Sequence, residues 1–144
     1  MKLLDVNVLV YAHREDAPRH TDYRAWLEQL LNGSEPFGVV DLVLSGFLRV
    51  VTHPKIFDPP TDRELALQFV QAIRESAEHV QIAPGPKHWS IFIRLVLESG
   101  CRGNLIADAF LAAIAIEWGC TWITTDRDYS RFIGLEWRHP LNTA

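Results

Sequence analysis

The chain has 144 residues, of which 48% are hydrophobic and 22% charged, and a formal net charge of -4. That length suits one domain, expected to span residues 1–144, and it is enough to bury roughly two-thirds of the unfolded surface. No apolar run approaches the ~20 residues of a membrane span, and the early apolar run is broken by Asp5 and Asn7, so neither a membrane protein nor a secretory leader is expected. Cys101 and Cys120 have no ligand-like spacing and fit a reduced, cytoplasmic setting.

In chain order, Lys2 to Asp5 reads as a short strand, followed by a helical turn from Asn7 to about Ala12. Between His20 and Leu31 the residues Tyr23, Trp26, Leu27, Leu30 and Leu31 form the stripe of an amphipathic helix, and Asn32-Gly33 stops it. Phe37 to Val40 reads as a strand, and Asp41 is placed to cap a helix running to about Thr52. Thr61-Asp62-Arg63-Glu64 has the spacing of a capping box and opens a helix carrying Ala66, Phe69, Val70 and Ile73 on one face. His79 to Ala83 is expected as a strand, and Trp89 to Leu97 as a helix halted by Gly100. Asn104 is the expected cap of the next helix, which Gly119 ends before a strand over Thr121 to Thr125. A last short strand falls near Leu135 to Trp137. Strands alternating with helices in this way predict a three-layer α/β fold with a mainly parallel sheet.

The helix after Asn104 carries the anomaly. From Leu105 to Ile116 every side chain but that of Asp108 is apolar. An ionised carboxylate buried without a partner costs several kcal/mol, so Asp108 needs a proton, a cation or a cleft. Asp5 and Asp126 each follow an apolar strand, and ligands of open parallel sheets bind beyond the carboxyl ends of the strands. Three clustered carboxylates need compensating positive charge, and hard oxygen donors suit Mg²⁺ or Mn²⁺. The 18 acids exceed the 14 Lys and Arg by four, the number of aspartates in the group Asp5, Asp108, Asp126 and Asp128, so the rest of the chain is balanced. Charge therefore neither argues for nucleic acid nor excludes it. The six histidines form no ligand spacing, and Trp118 and Trp137 are candidates for a dimer surface.

Four stretches together are similar to the PIN-domain ribonucleases, and within them to the VapC toxins of bacterial toxin–antitoxin pairs: Leu4 to Ala12, Gly46 to Pro54, Gly103 to Ala113 and Thr124 to Tyr129. The resemblance spans essentially the whole chain. It implies an Mg²⁺- or Mn²⁺-dependent endoribonuclease acting on structured RNA such as tRNA. It further implies a homodimer, and a VapB antitoxin whose C-terminal segment occupies the active-site groove. By position it assigns Asp5, Asp108 and Asp126 to catalysis and metal binding, with Asp128 as an auxiliary ligand. The chemistry implied is metal-assisted hydrolysis of a phosphodiester, with no protein nucleophile. Arg49, Arg102, Arg127 and Arg131 are candidate contacts to phosphate or antitoxin.

One position departs from the family pattern: where many members carry a glutamate in the second helix, this chain has Gly46. Asp41 would substitute only if its helix start bends toward the site. Two other readings stand beside the ribonuclease. One is an antitoxin- or RNA-binding module weakened by that missing acid. The other is a haloacid-dehalogenase-like phosphatase with Asp5 as nucleophile, whose second aspartate is absent from Asp5-Val6-Asn7.

Overall fold

A computed structural model describes residues 1–142. Four short parallel strands, β1 (Lys2–Leu4), β2 (Phe37–Gly38), β3 (Thr121–Ile123) and β4 (Trp137–Arg138), form one sheet in the order β2-β1-β3-β4. Leu3 pairs with Gly38 on one side and Trp122 on the other, and Ile123 pairs with Arg138. Because β2 lies on one side of β1 and β3 on the other, the strand order reverses at β1. In such sheets that reversal opens a crevice at the carboxyl ends of the strands.

Six helices surround the sheet: α1 (Val6–His13), α2 (His20–Asn32), α3 (Asp41–Val51), α4 (Arg63–Arg74), α5 (His88–Ser99) and α6 (Leu105–Glu117). The stripe foreseen on α2 buries Tyr23, Leu27 and Leu30. The nearly all-apolar α6 buries Ala109 and the run Leu111 to Ala115, packing along α5 beside β3. Gly119, at φ 64°, provides the left-handed turn that ends α6 and sends the chain into β3. Trp122, Phe37 and Phe47 are among the largest fully buried side chains. No helix among the described residues is long and apolar enough to cross a membrane.

Several local expectations are corrected. Asn104 makes no capping hydrogen bond and already has helical dihedrals. Asp41 is the first residue of α3 rather than its cap, and its carboxylate pairs with Arg74 of α4, which removes it from any role at the sheet edge. The capping box does not form: Asp62 precedes α4 without a side-chain bond, and the Thr61 hydroxyl instead accepts from Arg14 at 3.2 Å. His79 to Ala83 is not a regular strand. Only His79 bridges to Phe37, and its ring nitrogen takes the place of a ladder partner by meeting the Val39 backbone at 3.3 Å and 3.4 Å.

Candidate metal centre at the carboxyl edge of the sheet

Asp5 directly follows β1 and caps α1, its Oδ1 accepting the Val6 N–H at 2.7 Å. Its other oxygen accepts from the Thr124 hydroxyl at 2.7 Å and the Asn7 amide at 3.1 Å. Thr124 lies just past β3, so this bond ties the adjacent central strands together at the switch point. The Thr124 Oγ1 also accepts the Asp126 N–H at 3.0 Å and the Asn7 amide at 3.2 Å. The Asn7 side-chain Oδ1 closes the loop by accepting the Thr125 N–H at 3.1 Å. Asn7 and Thr125 thus both take part, Thr125 through its backbone.

Asp126 caps a 3₁₀ turn (Arg127–Arg131) by accepting the Asp128 N–H at 2.9 Å. Asp128 is exposed, and Arg131 leans back to donate to its backbone carbonyl at 2.9 Å. Asp108, in the first turn of α6, is half-buried rather than enclosed, and the buried Tyr129 hydroxyl donates to its Oδ1 at 3.3 Å. All four aspartates therefore gather around one edge of the sheet. Of the candidate arginines, Arg49, Arg102, Arg127 and Arg131 are all exposed.

The electrostatics follow from this placement. Asp5 is only 5% exposed, and burial pushes its pKa up to about 6 against three hydrogen bonds that favour the anion, with the charge of Asp108 adding to the rise. Asp108 is raised in turn by burial first and then by Asp126 and Asp128, while Tyr129 and Arg131 act the other way. The Tyr129 phenol is pushed well above its ordinary range by burial and by Asp5, Asp108 and Asp126. The phenol therefore stays protonated and serves as a fixed donor. An all-oxygen set of this kind, with Asp5 buried, Asp108 and Asp126 half-buried and Asp128 exposed, fits a hard divalent cation in donor chemistry and in its surplus of negative charge. Among the described residues, no three Asp, Glu, His or Cys groups are gathered tightly enough to make a ready-formed cage.

Gly46 has a packing reason. A Cβ built there would stand 3.1 Å from Cγ2 of Val6, so α3 approaches the first residue of α1 too closely for an unadjusted side chain. Two participants went unassigned in the sequence. Thr124 is fully buried and polar between the apolar Ile123 and the site. It shares strand parity with the buried Trp122, and a threonine on the inward face needs a partner, which was the available signal. Tyr129 offers no such signal, since a tyrosine in a turn is ordinarily a packing residue.

A fold of parallel strands with an acidic switch point defines the class, and a PIN domain family model matches residues 2–135. VapC ribonuclease Mb2897 of Mycobacterium bovis is 48% identical over 142 residues, covering 99% of this chain and 97% of that protein. Ribonuclease VapC25 of Mycobacterium tuberculosis is 41% identical over 140 residues, covering 97% and 99%. The fold resembles VapBC2 from Rickettsia felis, solved bound to a DNA fragment from their promoter, with a TM-score of 0.68 at 20% identity over 96% of this chain and 97% of that one. The chain belongs to the PIN domain family and, within it, to the VapC ribonucleases. The phosphatase reading of Asp5 falls with that membership.

Proposed function

We propose that this protein is the toxin of a type II toxin–antitoxin pair, an endoribonuclease that hydrolyses phosphodiester bonds in structured RNA such as tRNA. It depends on Mg²⁺, with Mn²⁺ able to replace it, acts in the cytoplasm as a homodimer, and is held inactive by a VapB-type antitoxin. The observation that carries the reading is the placement of Asp5, Asp108 and Asp126 around the sheet edge where the strand order reverses, within electrostatic reach of one another, in a chain whose relatives at 48% and 41% identity are ribonucleases.

Asp5, Asp108 and Asp126 would hold the cation, with Asp128 as an outer ligand. Bound there, the ion supplies Lewis-acid activation of water and charge neutralisation at the scissile phosphate. The protein's own groups do the positioning. Thr124 and Asn7 hold the Asp5 carboxylate in one orientation. The Asp126 backbone is tethered to the same hydroxyl, so the β1 and β3 ends move as one unit. Tyr129 stays protonated and steadies Asp108 without competing for its charge.

Cleavage of total structured RNA by the purified protein, with Mg²⁺, Mn²⁺ or chelator, tests this. Discrete fragments that need the metal and vanish in Asp108→Asn are expected. RNA retained without any metal-dependent cleavage would replace the enzyme with a binding module.

A further inference from the structure

Beside the carboxylates, at the same edge of the sheet, lies a cleft of about 400 Å³ lined by Arg127, Ser130, Trp137, Arg138, His139 and Asn142. None of its lining residues is acidic, in contrast to the aspartates next to it. The two sites are joined by backbone: the Thr124 N–H donates to the Arg138 carbonyl at 3.0 Å, and the Thr124 hydroxyl donates to Asp5. Neighbouring strands are spaced ~4.8 Å apart, so the end of β4 sits about 10 Å across the sheet from the end of β1. The cleft is therefore adjacent to the reacting position rather than part of it.

Its chemistry is divided between charge and flat surface. Arg127 and Arg138 are exposed guanidiniums. Among the described residues Arg127 has no ion-pair partner, and Arg138 has only the exposed Glu136 at 3.3 Å, a pairing that solvent leaves weak. His139 is arranged as a neutral wall. Its Nδ1 accepts the Leu141 N–H at 3.1 Å, which places the proton on Nε2, facing the Tyr23 hydroxyl at 3.4 Å. Burial and the nearby Arg19 and Arg127 hold its pKa down, consistent with that state. Trp137, half-buried in β4, supplies a second ring. Guanidiniums lining one cleft suit a phosphate, and aromatic surface suits a base.

We propose that this cleft is the RNA subsite next to the cleavage centre, in which Arg127 and Arg138 clasp a backbone phosphate and the Trp137–His139 wall receives the adjoining base. It rests on the ribonuclease reading and extends it by naming the residues that set the strand beside the carboxylates. Both arginines are exposed, so Arg127→Gln/Arg138→Gln should fold with an unchanged Tm.

The test is fluorescence anisotropy of fluorescein-labelled total tRNA with the native chain, the double variant and an Arg24→Gln control, in chelator and across a salt series. Cleavage by the native chain is assayed separately with Mg²⁺. The expected result is a double variant that binds at least about tenfold more weakly, with a salt slope about 1 to 2 lower, while the control matches the native chain. With metal present, KM should rise by a similar factor and kcat by contrast should stay within about threefold. Equal affinity and equal slope would overturn the subsite, and would do so whether or not the native chain cuts RNA. Unchanged RNA binding with lost capture of an antitoxin would also overturn it. Failure of the native chain to cleave, with the binding difference intact, would sink the ribonuclease reading alone and leave phosphate recognition standing.

Discussion

The two sides of the carboxylate site are built differently. On the strand side, Asp5 is 5% exposed and its carboxylate is fixed by Val6, Asn7 and Thr124. On the helix side, Asp108 is half-buried and holds one long bond from Tyr129, and Asp128 is exposed. The first side is rigid because two central strands end there and their ends are laced together. The second is carried by the start of a helix and a 3₁₀ turn, which can adjust.

The largest expected effect comes from neutralising a carboxylate on either side. Asp5→Asn and Asp108→Asn should each lower metal-dependent RNA cleavage by more than the ~10–100-fold typical of changes to groups behind a ligand. A comparable loss from both variants would show that the adjustable side is as necessary as the rigid one. Activity near native in Asp108→Asn would mean that the helix side only frames the site.

Next is the pH dependence of stability without metal, a property of the rigid side. Asp5 is raised from 3.8 to about 6, so the folded state binds its proton more tightly than the unfolded chain does. That contribution is complete below about pH 4 and is lost as pH rises through about 6, a cost of about 3 kcal/mol at neutral pH. Thermal melts from pH 4 to 8 should therefore fall more steeply for the native chain than for Asp5→Asn. Parallel curves would place the charge strain elsewhere.

Thr124→Val keeps the shape of the rigid wall but strips its hydroxyl from Asp5, Asn7 and the Asp126 N–H. It should cost about 1–3 kcal/mol of stability and ~10–100-fold in cleavage. Tyr129→Phe, on the adjustable side, should cost about 1 kcal/mol and only a few-fold in rate, because its single bond is 3.3 Å long. A Tyr129→Phe loss as large as that of Thr124→Val would reverse the assignment of rigid and adjustable sides.

Much of this arrangement was legible before the fold. One charged residue in the apolar run of α6 marks Asp108, and the positions of Asp5 and Asp126 shortly after the two central strands mark their shared edge. Helix stripes place α2 and α4 because burial follows their period. Caps were less legible. Ser, Thr, Asn and Asp bond to whichever donor is nearest, so Thr61 took Arg14, Asp41 took Arg74 and Asn104 took neither neighbour. Gly46 reads in the sequence as a missing acid. In the fold it is where α3 meets Val6, a contact invisible without the packing of α1 against α3.

The most direct test of the central claim is Mn²⁺ binding by the native chain and by Asp5→Asn and Asp108→Asn at neutral pH without RNA, followed by calorimetry and by the accompanying rise in Tm. The account predicts saturable binding that stabilises the native chain and is lost or greatly weakened in both variants. Equal binding and equal stabilisation in all three proteins would contradict a metal centre at this edge of the sheet.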